Sequence, residues 1–258
     1  MSTLVMQPTH MAVRYLRALW RQPLHVVMQL VQPVIWLFLF GQLFKNVATL
    51  PGFGGASYID YLAPGVLVMS ALLSNGWSGT LYLTDMERGV LDRFLATPAR
   101  RSSFLIGQLG YWAMLTIIQS VILVGLALLG GARFAGGMLS VLALIAAAVL
   151  LGMVMACFSN TLALRLRDQN TVIAANVILV LPLCFVSSVF LPQALMPGWI
   201  QTVARFNPVN WAVDAGRQSI VAHVDWSIVL TRLGGLAALA LVFGLLAVRS
   251  FRAYQRAL

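Results

Sequence analysis

Residues 102–132 read SSFLIGQLGYWAMLTIIQSVILVGLALLGGA, and beyond the lone charge of Arg133, residues 134–164 read FAGGMLSVLALIAAAVLLGMVMACFSNTLAL. Neither run contains Asp, Glu, Lys or Arg. A helix needs roughly 20 apolar residues to cross the ~30 Å hydrocarbon core of a bilayer, so each run suffices for one crossing. The apolarity is continuous rather than alternating. In lipid only helices or closed barrels satisfy the backbone, so both runs predict membrane helices.

The same rule extends in both directions. Uncharged stretches also occupy 22–44, 61–84 and 169–204, and a shorter one fills 233–248, extending back toward Ser227 if Arg232 lies near an interface. Six spans follow, near 25–45, 60–83, 105–130, 138–163, 171–192 and 228–249. Composition agrees: 60% of the 258 residues are hydrophobic, 9% are charged, and mean hydropathy is +0.88. A soluble domain carries about 25% charged residues, so an ordinary cytosolic enzyme and a disordered chain are both excluded. No loop is domain-sized, and residues 1–258 read as one all-α polytopic membrane domain.

The formal charge is +10, with Lys45 the only lysine. A basic excess points to nucleic acid or to a membrane surface. Here the arginines cluster between apolar runs, which selects the membrane and no nucleic acid. Basic residues near span ends favour the cytoplasm. One set of loops holds twelve of the seventeen (Arg14, Arg17, Arg21, Arg88, Arg93, Arg100, Arg101, Arg165, Arg167, Arg249, Arg252 and Arg256) and the other holds five. Both termini are therefore expected in the cytoplasm, in a multi-pass protein of the cell (inner) membrane.

Three segments exceed what a simple bundle needs. In the first, Ala12, Tyr15, Leu16 and Leu19 share one helical face while Arg14, Arg17 and Arg21 share another, an amphipathic interfacial helix stopped by Pro23. It serves as an anchor or also transmits motion to the first span. The second runs from Thr84 to Pro98: Val90, Leu91, Phe94 and Leu95 repeat at helical spacing among Glu87, Arg88, Asp92 and Arg93. Such a segment is either a solvated loop with one helical turn or a short helix docking on a soluble partner, with charges setting register. The third, from Leu191 through Pro197, Trp199, Asn207 and Pro208 to Arg217, is too Pro-broken to span and too apolar for a free loop. It reads as a re-entrant or interfacial helical hairpin on the outer side, with Trp199 and Trp211 as interface anchors.

No ionisable side chain falls near the middle of a span, unless Arg232 does, which argues against an ion-coupled transporter or a selective channel. Most of Gln29, Gln32, Gln42, Asn75, Gln108, Gln119, Asn160 and Asn176 read as hydrogen-bonding glue between helices, and Ala148, Gly152 and Ala156 as a ridge for close packing. Pro33 is a candidate kink in the first span. Cys157 and Cys184 read as small buried hydrophobes. His10, His25 and His223 are scattered, so no metal site is expected. A phosphate-binding loop needs G-x-x-x-x-G-K-[ST]; Lys45 is followed by Asn46 and lacks the glycines, so the chain is expected to bind no nucleotide and to catalyse nothing.

The order of these segments resembles a type-2 ABC transporter permease, the membrane subunit of exporters of the daunorubicin-resistance and nodulation-factor type. Glu87-Arg88-Gly89-Val90-Leu91-Asp92-Arg93 followed by Thr97-Pro98 is similar to the family's E-[KR]-G-T-L pattern, with Val90 where Thr is common. Leu195-Met196-Pro197-Gly198-Trp199, then Asn207-Pro208 with Asp214 and Arg217, is similar to its "lP-x-W … NP … D-x-x-R" run. The resemblance implies pairing with a second permease copy, a homodimer being the expected form, and with two separate ATPase subunits that bind ATP and Mg. It implies a coupling helix around Glu87, Arg88, Gly89, Val90, Leu91, Arg93 and Phe94, and an outer gate built from Pro197, Trp199, Asn207, Pro208, Asp214 and Arg217. ATP-driven closure would push on the coupling and N-terminal helices and open a path between the two permeases for an amphipathic or lipid-linked substrate. That path is sought at Gln32, Trp36, Phe40, Asn75, Phe185 and Phe190, against the alternative that these residues face lipid or packed core. Other functions in view are a polysaccharide- or glycolipid-flipping permease of the same fold, or a membrane enzyme or assembly factor without transport.

Overall fold

The computed structural model describes residues 23–46, 57–89 and 102–256. Among them every regular element is helical. The first apolar run forms α1 (Pro23–Ile35), a wide π-helical stretch Trp36–Phe40, and one further turn, α2 (Gly41–Leu43). The π stretch begins three residues after Pro33, whose own missing N–H removes one ladder bond a turn earlier. The second run forms α3 (Tyr58–Gly76) and α4 (Ser78–Glu87). Then come α5 (Ser102–Leu129), α6 (Gly137–Leu166) and α7 (Gln169–Phe185). A short hairpin of α8 (Gly198–Ala204) and α9 (Pro208–Arg217) leads to α10 (Trp226–Arg256).

Helices thus fall on all six uncharged runs. Three stretches, Leu105–Leu129, Gly137–Leu166 and Trp226–Arg252, are long and apolar enough to cross a membrane; Val27–Leu43 and Gln169–Phe185 are apolar but shorter. Two expectations need correction. The run at 60–83 is not one helix, because the ladder breaks at Trp77. The run at 171–192 is helical only to Phe185. Its next residues turn because side chains of the hairpin take over as backbone partners: Asn207 Nδ2 donates to the carbonyls of Leu183 (2.7 Å) and Val186 (3.0 Å), and Asn210 Oδ1 accepts from the Ser188 N–H (3.1 Å).

Helix α6 is the central post, packed against α10, α3, α9, α4 and α5. Its composition explains why. Ala147, Ala148, Leu151 and Ala156 are fully buried or nearly so, and small side chains let neighbouring backbones approach closely. At Gly152 the approach is so close that an added Cβ would lie 2.7 Å from Asn75 Nδ2 of α3. Gly152, the middle of the expected ridge Ala148, Gly152 and Ala156, therefore lies in the seam between α6 and α3. Helix starts are set by side-chain caps. Ser57 and Asp60 form a reciprocal capping box on α3, and Asp60 also accepts from the Arg133 N–H (2.7 Å), tying the α5–α6 loop to the start of α3. Asp168 caps α7 through the N–H (2.7 Å) and hydroxyl (2.5 Å) of Thr171. Those two bonds to the ionised form hold the exposed Asp168 carboxyl below the usual aspartate range. Cys157 and Cys184 are buried and unbridged.

Candidate translocation face

The break at Trp77 organises the interior. Where α3 stops, the Gly76 carbonyl receives the Ser159 hydroxyl (2.7 Å) and Asn176 Nδ2 (2.7 Å). Asn176 Nδ2 also reaches Ser159 Oγ at 3.0 Å, and that oxygen accepts the Gly79 N–H (3.0 Å) as α4 begins. The Ser78 hydroxyl donates to Asn160 Oδ1 (2.9 Å), and Gln108 Nε2 donates to the Ser78 carbonyl (3.1 Å). Asn160 and Gln108 join at 3.3 Å. Side chains from α5, α6 and α7 thereby replace the ladder bonds lost at the break, as buried backbone in an apolar environment requires. Of the amides read as glue from sequence, Gln108, Asn160 and Asn176 are that glue here, and Gln119 accepts from the Ser74 hydroxyl (3.2 Å) between α3 and α5; Ser159 and the break itself carried no sequence signal.

Trp77 stands outward at this point, 51% exposed. It lines two clefts. One, of about 100 Å³, runs between α3 and α7 past Leu73, Asn176, Val180 and Leu181. The other, of about 220 Å³, lies between α1, α3 and α5 and is lined by Gln29, Gln32, Ser70, Ser74 and Gln119.

The six residues sought as a path separate into three places. Trp36 and Phe40 stack with centroids 4.5 Å apart, Phe190 lies 5.2 Å from Trp36 and 6.2 Å from Phe40, and Phe185 lies 6.2 Å from Phe190. These four form one aromatic patch, continued by Phe44 and Tyr58. Gln32 faces the cleft beside Trp77 instead. Asn75 is fully buried; its Nδ2 donates to Thr116 Oγ1 (2.8 Å) and to the Ala71 carbonyl (2.8 Å), which makes it a tie between α3 and α5.

The hairpin residues also divide. Asn207 caps α9 through the Val209 N–H (2.9 Å) while holding the end of α7, and Pro208 fills the first turn, where no N–H is needed. Asn210 Oδ1 accepts from the Ser188 hydroxyl (2.6 Å), and its Nδ2 donates to Asp214 Oδ2 (3.2 Å). Arg217 lies over the Tyr61 ring, 3.8 Å from its centroid, and donates to Ser188 Oγ (2.8 Å) and to the Ser188 carbonyl. Tyr61 donates to that same carbonyl (3.1 Å). Asp214 pairs with Arg232 of α10 at 3.2 Å. Asn207, Asp214 and Arg217 thus tie α3, the turn after α7, and α10 into one knot, the one expected from sequence to lie on the outer side. Tyr61, Ser188 and Asn210 complete it, with no motif to announce them. Pro197 and Trp199 lie outside the knot. With Val203, and with Phe206 just beyond the helix (77% exposed), Trp199 gives α8 an apolar face left uncovered by the described residues.

Of the coupling segment, Glu87 is the last residue of α4 rather than part of a separate helix. Arg88 turns the chain, and Gly89 closes the turn at φ +64°, with its N–H donating to the Met86 carbonyl (3.0 Å). A left-handed residue ending a helix is where glycine is favoured. Glu87 and Arg88 are exposed. Val90, Leu91, Arg93 and Phe94, and Arg14, Arg17 and Arg21 of the amphipathic helix, lie outside the described residues. No group of three or more metal-ligating side chains occurs among the described residues.

Comparison with known proteins places this architecture. The family profile described as ABC-2 type transporter matches residues 6–221. The chain is 30% identical over 210 residues to the protein assigned as transport permease ycf38 in Porphyra purpurea, covering 81% of this chain and 71% of that one. It is 28% identical over 239 residues to the daunorubicin resistance ABC transporter permease protein DrrB1 of Streptomyces coeruleorubidus, covering 89% and 80%. It is 26% identical over 198 residues to a protein of Mycobacterium tuberculosis assigned as the doxorubicin resistance ABC transporter permease DrrC, covering 76% and 70%.

Proposed function

This chain belongs to the ABC-2 type transporter family, and from that membership we propose that it is the permease subunit of an ATP-driven exporter. Its six helical runs each cross the cell (inner) membrane, with both termini in the cytoplasm. Two separate ATPase subunits bind ATP and Mg, and a second copy of the chain completes the path. The cargo is an amphipathic or lipid-linked molecule taken from the cytoplasm or inner leaflet, and alternating access moves it outward.

One observation carries the mechanism: the Glu87-Arg88-Gly89 segment is the far end of a rod, α4, whose near end is the break at Trp77. A push on Glu87 and Arg88 from an ATPase tilts α4 about Gly76–Trp77. The polar network around Ser159 and Asn176 lets that hinge move without stranding backbone groups, since each carbonyl keeps a side-chain partner in reach. Tilting shifts Trp77, the wall common to both clefts. The path then runs from Gln32 and Trp77 to the aromatic patch of Trp36, Phe40, Phe185 and Phe190, and the knot at Asn207, Asp214 and Arg217 closes its outer end. Exposed apolar side chains on α7 (Val177, Ile178, Leu181), on α1 (Val31, Ile35) and on the π stretch (Leu39) support a second copy facing this groove. Nucleotide can bias the two access states only through differential binding, which explains why the permease itself needs no catalytic residue.

The test is co-expression with the ATPase. Replacing Glu87 or Gly89 is expected to weaken co-purification or substrate-stimulated ATP hydrolysis; wild-type values for both would remove the coupling role. Cysteines placed at Arg101 and Arg133 should label from the cytoplasmic and outer sides respectively, and reversed labelling would invert the topology.

A further inference from the structure

Between α9 and the first turns of α10 lies a cleft of about 520 Å³ lined by Asp214, Arg217, Gln218, Ser227, Thr231 and Arg232. Its hydrogen-bonding capacity is unbalanced. Arg217 spends its two terminal nitrogens on Ser188, but its Nε–H is buried and has no partner. Arg232 makes one contact, Nη2 to Asp214 Oδ2, and its side chain is 35% exposed. The Gln218 side-chain oxygen is engaged by the Asp225 N–H, which leaves its NH2 group for the cleft. The hydroxyls of Ser227 and Thr231 bond to nothing among the described residues. Against these donors the cleft offers one carboxylate, Asp214, already shared between Arg232 and Asn210. The nearby Asp225 carboxylate is turned onto the N–H groups of Ser227 (2.9 Å) and Ile228 (3.4 Å) as the cap of α10.

The flank of α10 that carries the cleft residues is apolar further along and uncovered by the described residues: Ile228, Val242 and Leu245 are exposed there, Leu245 at 62%. A partly exposed guanidinium backed by a buried one, and three neutral donors, beside a greasy helix flank call for a ligand with an anionic oxygen head and a hydrocarbon body. We propose that this cleft binds the phosphate of an acidic phospholipid, with the acyl chains lying along α10. Arg232 holds the phosphate oxygens by charge-assisted hydrogen bonds, Thr231, Ser227 and Gln218 complete the shell, and the buried Arg217 guanidinium adds its positive charge from behind. On the topology proposed above the lipid belongs to the outer leaflet; the binding chemistry holds in either orientation. A lipid seated here bridges the hairpin to the last helix, and so adds to the outer knot a component the polypeptide does not contain.

Lipid retention by the full chain in neutral-detergent micelles, counted by native mass spectrometry, tests this without the ATPase. Phosphatidylglycerol, phosphatidylcholine and inorganic phosphate are the three probes. Phosphatidylglycerol should bind about tenfold more tightly than phosphatidylcholine, the size of one charged hydrogen bond. Arg232→Gln should bring it down to the phosphatidylcholine level. Asp214→Asn should raise it, because the competing carboxylate charge is gone; a purely structural Arg232–Asp214 pair would not respond so. If Arg232→Gln does not fold, Thr231→Val with Ser227→Ala must lower retention by about threefold. Equal retention of the two lipids, indifference to these variants, or displacement of phosphatidylglycerol by millimolar inorganic phosphate overturns the proposal, the last by showing a free-anion site.

Discussion

Filling the seam between α3 and α6 should destabilise the fold in a way one further mutation repairs. In Gly152→Ala the new Cβ meets Asn75 Nδ2 at 2.7 Å, where ordinary contact begins at 3.4 Å. The amide must retreat by the difference, 3.4 − 2.7 = 0.7 Å. It cannot do so and keep its 2.8 Å bonds to the Ala71 carbonyl and Thr116 Oγ1. Side-chain hydrogen bonds inside membrane proteins contribute about 0.6 kcal/mol on average and about 1.7 at most, so losing both costs about 1–3 kcal/mol. Overpacking of a tight core independently predicts about the same range. Asn75→Ala alone forfeits the same bonds and leaves a gap beside Gly152. The double variant places the new methyl in that gap. Thr116 is not stranded, because its hydroxyl donates to the Trp112 carbonyl (2.8 Å). The two changes should therefore be non-additive by at least about 1 kcal/mol, with the double variant no worse than Gly152→Ala. Reversible unfolding in mixed micelles by titration with a denaturing detergent measures all four corners of this cycle. Strict additivity, or a neutral Gly152→Ala, would refute the close approach at this seam.

The neighbouring seam behaves differently. In Gly79→Ala the Cβ would lie 2.4 Å from the Ser159 carbonyl oxygen, so Ser159→Ala should not rescue it, and expression monitored by size-exclusion profile should fall in both. Asn176→Leu removes one of two donors to the Gly76 carbonyl and should cost about 0.6–1.7 kcal/mol in the same micelle titration. Gly89→Val forces a left-handed turn on a β-branched residue, about 1–2 kcal/mol locally, and should lower stimulated ATP hydrolysis more than it lowers yield. Asp168 has a depressed carboxyl pKa when folded, so its cap stabilises above the ordinary aspartate value of 3.8 and is lost as pH falls through and below it. Thermal denaturation from pH 6 toward pH 3 should show a steeper decline for the wild type than for Asp168→Ala.

The helices were legible because membrane composition leaves few alternatives: an uncharged run of sufficient length becomes a helix wherever it sits. The caps at Asp168 and Asn207 were readable in principle from residue type. The interruptions were not. Three prolines, Pro33, Pro64 and Pro182, lie inside helices that continue past them, while the real break falls at Trp77, which has no proline beside it. Propensity rules assume water as the competitor for backbone groups; in this bundle Ser159 and Asn176 compete instead, and they come from α6 and α7, distant in sequence. For the same reason Trp36, Phe40, Phe185 and Phe190 could be suspected individually, yet their convergence required the turn after Phe185. Asn75 looked like a path residue because a polar side chain in an apolar run is conspicuous. Its partner Thr116 was not.

The turn that ends α7 bears on how the chain is made. Its backbone groups at Leu183, Val186 and Ser188 are satisfied by Asn207 and Asn210, which are synthesised 21 to 24 residues later. Until the ribosome has delivered that second segment, the turn after α7 lacks the side-chain partners that hold it in the finished fold. The final geometry at the end of the fifth run is therefore reached only after its successor has been made.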